Sequence, residues 1–329
     1  MLLAGFLAAG LLQPAPVHEI PYDADPAFLE LPDTLYFGEV AGVAVNSQGH
    51  IFAFSRGGTT GPAFGAAASQ LFEFDRTGRF VREIGKGLYA MAYAHSVRID
   101  RDDNIWIVDK GSDMVVKLTP QGRVAMVFGR KKEASDEAVP WTHVNPPRPQ
   151  VNGMFRQPTD VTWDPQGNIF ISDGYVNSRV AKYDRNGDWV KSWGEKGTKE
   201  GQFDTPHSIA ADAAGNVYVA DRGNRRIQVF DNDLNPVRII ANVGAPWSIC
   251  TSPAPNQFLF SGDGNGKIYK VDMSGNLVGW AQTSEGHGQT GCLVHELHCE
   301  SDTVIYKGDC STWTVEKITF KGAAKSSAP

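Results

Sequence analysis

Three histidines in this chain are spaced for metal chemistry. His95, His207 and His295 each stand at the start of a short apolar run, at one common offset from the turn that ends it. Three neutral imidazoles converging on one point, with one side open, are what a catalytic zinc requires: three protein ligands and a free fourth position. A polar residue at the start of a strand can instead merely cap a loop, and for one histidine that plainer reading would stand. Three of the eight histidines at equivalent positions argue against it. The other five, His18, His50, His143, His287 and His298, share no such spacing.

The elements that must bring these residues together are strands. Gly201 to Phe230, GQFDTPHSIAADAAGNVYVADRGNRRIQVF, reads as two short half-apolar runs around an Ala-Gly-Asn turn, then a polar break and a third run. No window in it has the i, i+3, i+4 spacing of an amphipathic helix. The pattern recurs from Ala41, Ala94, Gln157, Ala245 and Val294, making six copies with this one. RFVREIG, RVAMVFG, DWVKSWG and NLVGWAQ supply a further strand after four of them. Such a repeat predicts an all-β fold, a six-bladed β-propeller with one blade per copy. In a propeller the first strand of each blade lines the central channel. His95, His207 and His295 then belong to blades two, four and six, with Ala41, Thr159 and Trp247 between them, in approximate threefold symmetry.

Length and charge are compatible with this. A propeller of 329 residues is one closed domain, and a net charge of −6 with scattered Lys and Arg excludes the basic face that nucleic acid demands. Met1 to Leu12 is apolar but too short to span a bilayer. It resembles the core of a signal peptide with a cleavage region near Ala15, although no Lys or Arg precedes it, and points to a secreted or periplasmic protein; the alternative is an irregular N-terminal arm. The expected division is 1–33 as signal peptide or arm, 34–320 as propeller and 321–329 as a disordered tail. DTLYFGEV, with its strand near Leu35, is expected to complete blade six and close the ring. Two insertions, Gly57 to Ala68 and Lys131 to Gly153, are placed to rim one mouth. None of the four cysteines forms a CxxC pair. The blade-six hairpin points to a Cys292–Cys310 bridge, one of the three pairings open to four cysteines.

Phe155 to Phe230 carries QPTDV, SDGYVNSR, WGE, GQFDTPHS and ADRGNRRIQVF in order. In this the chain resembles the peptidyl-α-hydroxyglycine α-amidating lyases, NHL-repeat propellers, and the resemblance extends over about Ala41 to Phe320. It implies a catalytic zinc on His95, His207 and His295, and a substrate ending in α-hydroxyglycine, cleaved to an amide and glyoxylate. It also implies roles for Tyr175 as the proton-accepting group and for Arg56 in orienting a carboxylate or lowering the Tyr175 pKa. Arg56 is read as standing where blades two, three and four carry Asp109, Asp173 and Asp221. A structural calcium is implied as well, on Glu296, where the family has aspartate, and on the carbonyls of Val43 and Val97. Arg156 and Val176 replace family cysteines. The expected partner is a small molecule or peptide C-terminus, bound by a monomer with no membrane span. The alternatives are a zinc propeller enzyme for another α-hydroxy substrate, and a non-enzymatic NHL propeller that binds a peptide or glycan.

Overall fold

The computed structural model describes residues 17–57, 68–131, 149–284 and 291–321. Two apolar strand faces explain its architecture. The inner and second strands of each blade are buried on both sides, so each blade must pack against a neighbour on each flank. Six sheets result, and their inner strands touch in order around a ring, the last against the first. From the channel outward, blade one is Val40–Val45, Ile51–Ser55, Gln70–Phe74 and Phe80–Ile84. Blade two is Ala94–Ile99, Ile105–Asp109, Met114–Leu118 and Val124–Gly129. Blade three is Asp160–Trp163, Ile169–Asp173, Arg179–Tyr183 and Trp189–Trp193. Blade four is Pro206–Ala211, Val217–Asp221, Arg226–Phe230 and Pro236–Ile240. Blade five is Pro246–Thr251, Phe258–Asp263, Lys267–Asp272 and Leu277–Gln282, and blade six begins with Glu296–Cys299, Val304–Asp309 and Thr314–Phe320. The described residues contain no helix, and so none long and apolar enough to cross a membrane.

The core is correspondingly divided. Each of the six apolar clusters fills one interface between neighbouring blades, for example Phe52 and Phe54 of blade one against Ile105 and Ile107 of blade two. The outer hairpins turn on Asx motifs. In the Asp184 to Asp188 turn, Asp184 Oδ1 accepts from the amides of Asn186 and Asp188, and Gly187 takes the φ of 92° that the turn needs.

An N-terminal strand does close the ring, but it is not the one near Leu35. Tyr22–Asp25 pairs antiparallel with Thr314–Phe320 and completes blade six. Just before it, His18–Glu19 pairs in parallel with the outer strand of blade five, and Ile20 is buried between the two blades. The N-terminal segment therefore ties two blades together, and the arm expected over 1–33 is partly sheet. Leu35 lies instead in a turn after Pro32, and Leu35 and Phe37 cover the apolar flank of blade one. An isolated apolar pair at i and i+2 suits a cover as well as a strand, and only the free edge of Thr314–Phe320 decides between them.

The disulfide also differs from expectation. Cys250 and Cys299 are joined, with Cα atoms 5.7 Å apart, while Cys292 and Cys310 are free. Cys250 and Cys299 lie on adjacent inner strands of blades five and six, a contact between copies that spacing along the chain does not reveal. The expected signal peptide, most of both insertions and nearly all of the tail lie outside the described residues.

Candidate metal centre and active site

The three histidines meet on the channel axis, fully buried, with ring centroids 4.6, 4.8 and 5.1 Å apart. In blades two and four what brings the histidine in is a bulge. At the start of the inner strand the register slips by one residue, between Ala94 and Ser96 in blade two and between Pro206 and Ser208 in blade four. The slipped residue is the histidine.

Each imidazole is oriented by the next blade. Nδ1 of His95 donates to the carbonyl of Thr159 (2.6 Å), Nδ1 of His207 to that of Trp247 (2.6 Å), and Nδ1 of His295 to that of Ala41 (2.8 Å). Thr159, Trp247 and Ala41 are the residues of the odd blades at the same ring position, so one geometry is repeated three times. A carbonyl can only accept, so Nδ1 carries the proton and Nε2 keeps its lone pair. Burial pushes the pKa of all three well below the ordinary histidine value; neighbouring charges add to it, Arg222 first at His207 and Arg56 first at His295. Three neutral nitrogens with inward lone pairs, their ligand atoms within 4.8 Å of one another, fit a zinc ion.

Tyr175 and Arg56 face the same point. The Tyr175 hydroxyl lies 3.0 Å from His207 Nε2 and 3.3 Å from His95 Nε2, and Arg56 Nη2 lies 3.1 Å from His295 Nε2. Gly174 makes the approach of Tyr175 possible. A Cβ there would sit 1.9 Å from the carbonyl oxygen of Pro206, so only glycine lets this turn press against the strand that carries His207. Burial raises the Tyr175 pKa, while Arg222 and then Arg56 pull it back. Arg56 is held by Glu39 (2.8 Å) and the Ala94 carbonyl (2.9 Å), with its guanidinium 4.3 Å from the Tyr93 ring.

Two further cations line this mouth, and the sequence reading did not name them. Lys110 Nζ lies 3.4 Å from the centroid of the Tyr175 ring, and the Arg222 guanidinium lies 4.3 Å from the Trp247 ring and 5.4 Å from that of Tyr175. Burial, then Arg56 and Arg222, push Lys110 well below the ordinary lysine range. The strand register reveals both. Pairing Val40 with Ser55, and Ala94 with Asp109, makes Ser55 the counterpart of Asp109 and puts Arg56 one place later. The expected equivalence of Arg56 with Asp109, Asp173 and Asp221 is therefore corrected by one residue. Its true ring is Arg56, Lys110, Gly174, Arg222, Gly264 and Cys310, three of which are cations. The aspartates instead pin their loops: Asp109 accepts from the amides of Ala92, Tyr93 and Ser112.

Of the residues expected to hold calcium, Val43 and Val97 are buried on the adjoining inner strands of blades one and two. The Glu296 carboxylate, one residue after His295, meets Arg98 and Ser248. Burial raises its pKa well above the carboxylate range, with Arg98 opposing and Asp160 adding. A separate cavity of about 490 Å³, lined by Trp106, Trp163, Asp164 and Asp212 among others, lies among turns at the other end of the inner strands and includes no residue of this site.

Comparison with known proteins bears on the fold and on sequence likeness. Residues 203–230 match the NHL repeat. Peptidyl-glycine alpha-amidating monooxygenase of Mus musculus is 28% identical over 320 residues, covering 86% of this chain and 30% of that protein. A probable peptidyl-alpha-hydroxyglycine alpha-amidating lyase of Caenorhabditis elegans is 31% identical over 232 residues, covering 65% of this chain and 61% of that one. The chain thus spans about a third to three fifths of the length of these relatives. Among solved structures, a streptogramin B lyase superposes with a TM-score of 0.58 over 91% of this chain and 98% of its own, at 13% identity, which speaks for the fold alone. The chain is a six-bladed β-propeller that contains an NHL repeat and is similar in sequence to proteins named as peptidyl-α-hydroxyglycine α-amidating lyases.

Proposed function

We propose that this protein is a zinc-dependent lyase that cleaves the C–N bond of N-acyl-α-hydroxyglycine carbinolamides, releasing an amide and glyoxylate. The observation that carries this reading is the placement of the Tyr175 hydroxyl 3.0 Å from His207 Nε2, inside a three-histidine site rimmed by Arg56, Lys110 and Arg222. His95, His207 and His295 would hold the zinc, which supplies Lewis acidity where negative charge develops on oxygen.

The remaining work falls to the chain's own groups. In the reaction the substrate hydroxyl loses its proton, the C–N bond breaks as the new C=O forms, and the departing nitrogen gains a proton. Tyr175 is placed to take and return that proton at its hydroxyl oxygen. Burial raises its pKa, while Arg222 and Arg56 oppose that and lower the cost of the phenolate form that accepts the proton. The same guanidinium groups suit the carboxylate of a glyoxylate-type product, since arginine offers a planar fork that a carboxylate matches.

A disulfide between Cys250 and Cys299 supports the further proposal of a secreted or periplasmic location, because such bonds persist in oxidising compartments. Metal analysis of the purified protein, together with a glyoxylate-release assay on α-hydroxyhippurate, tests the function. About one zinc per chain with glyoxylate and benzamide formed in equal amounts is expected. Zinc without glyoxylate release would favour another α-hydroxy substrate, and no metal at all would favour a binding propeller.

A further inference from the structure

Directly below the histidine ring the channel holds a second tier. Ser96, Ser208 and Glu296 each follow one of the three histidines, and Gly42, Asp160 and Ser248 occupy the same position in the odd blades. Arg98, from the inner strand of blade two, extends into this tier. Its Nε and Nη2 donate to the two Asp160 oxygens of blade three at 2.9 and 2.6 Å, and Nη2 lies 3.3 Å from Ser208 Oγ of blade four. Nη1 donates to the Leu297 carbonyl of blade six at 2.8 Å, Nη2 lies 3.4 Å from the Ile249 carbonyl of blade five, and the guanidinium pairs with Glu296. One side chain thereby joins five blades.

We infer that Arg98 is the resident cation of this channel and stands in place of the calcium that the resemblance to amidating lyases implies. The donor count carries the argument. A carboxylate offers about four lone-pair sites. Asp160 already receives both arms of Arg98, Ser96 Oγ at 2.8 Å, Ser208 Oγ at 2.6 Å, and the amides of Val161 at 2.8 Å and Ile209 at 3.1 Å. Nothing remains on it for a metal. Calcium requires six to eight oxygens, and here one of the two carboxylates is saturated while the other faces a guanidinium that would repel the ion. Space points the same way. At Gly42 a Cβ would sit 2.6 Å from the Val97 nitrogen, so the first two blades meet closely beside Val43 and Val97. The residues present do not fit calcium; they fit an internal arginine.

The tier also explains how the histidines keep their spacing. Because Ser96, Ser208 and Glu296 are the next residues after His95, His207 and His295, the Arg98 network holds all three from beneath. Arg98 is accordingly a positioning residue, and it touches no reacting group.

The test reads calcium content and melting temperature rather than turnover, so it does not depend on the proposed reaction. Wild-type protein dialysed against EGTA should carry only trace calcium, and millimolar CaCl2 should leave its Tm unchanged. Arg98→Gln leaves Asp160 and Glu296 without their cation. It should melt several degrees lower, and calcium should restore part of that loss. Arg98→Lys, which keeps the charge but not the fork, should melt between the two and stay insensitive to calcium. Wild-type protein that retains one calcium per chain, or that is stabilised by added calcium, overturns the inference. So does a folded Arg98→Gln protein whose Tm ignores calcium. If Arg98→Gln does not fold, the wild-type calcium content and the Arg98→Lys melt decide the matter.

Discussion

Arg56 and His295 are 239 residues apart in the chain, yet the guanidinium Nη2 of one lies 3.1 Å from the imidazole Nε2 of the other. The contact crosses the closure of the ring, from blade one to blade six. Opposite it, the Tyr175 hydroxyl makes the matching approach to His207. A cation and a phenol thus flank one three-nitrogen site, and each can be removed without removing a ligand.

Tyr175→Phe deletes one hydroxyl and leaves all three imidazoles in place. Zinc content and Tm should survive while glyoxylate release falls by about 10²–10⁴-fold, the usual worth of a positioned acid-base group. Metal analysis beside kcat separates the two effects. Unchanged turnover would take the tyrosine out of the reaction.

Arg56→Ala should weaken both substrate binding and rate, since the side chain faces His295 as well as the open mouth. It should also destabilise the fold, because Glu39 loses its buried partner. Arg56→Lys should recover only part of the loss, as a point charge replaces a planar fork. A lysine variant equal to wild type in kcat/KM would show that charge alone suffices.

Gly174→Ala places a methyl group 1.9 Å from the Pro206 carbonyl oxygen, so the turn must shift. Tyr175 would then move away from His207, and turnover should drop about as far as in Tyr175→Phe, 10²-fold or more. Tm should fall too, which distinguishes this variant from Tyr175→Phe. Wild-type kinetics here would mean that the placement of Tyr175 does not depend on the close packing at Gly174.

The Cys250–Cys299 bridge closes a loop of 49 residues. Chain entropy alone makes such a link worth about 4 kcal/mol. Cys250→Ser with Cys299→Ser should therefore lower Tm clearly, whereas Cys292→Ser should not. Peptide mapping under non-reducing conditions reads the pairing directly, and a Cys292–Cys310 peptide would contradict it.

Asp109 has a pKa raised from 3.8 to about 6, chiefly by burial and against the pull of its amide donors. The folded state therefore binds this proton more tightly than the unfolded one. Its contribution is fully present below the unfolded value and is lost as pH rises through the folded one. Relative to Asp109→Asn, the wild type should lose up to about 3 kcal/mol between acid and neutral pH, taking 1.36 kcal/mol per pKa unit as the scale. Urea midpoints at the two ends of that window check it, and a constant gap would show that Asp109 does not titrate.

What the sequence by itself determined is whatever repeats. Six copies of one strand–turn–strand unit specify six blades, and the recurrence of histidine in alternate copies specifies a threefold site, because equivalent positions in a closed ring must face one axis. Tyr175 was legible only through the family resemblance carried by the SDGY run, since that run occurs in one copy and repetition does not single it out. Tertiary structure alone decided the contacts between copies, where no local pattern applies. The closing strand went to Tyr22–Asp25 because blade six had one free edge to pair, and Leu35 served as a cover instead. Cys250 found Cys299 because their strands lie side by side across a blade interface. Lys110 and Arg222 joined Arg56 only once the strand register had aligned them on one ring, and Arg98 became the channel's cation only when five blades had closed around it. Local periodicity sets what each blade is. Burial, close approach and the pairing of charge across the ring set what the blades make together.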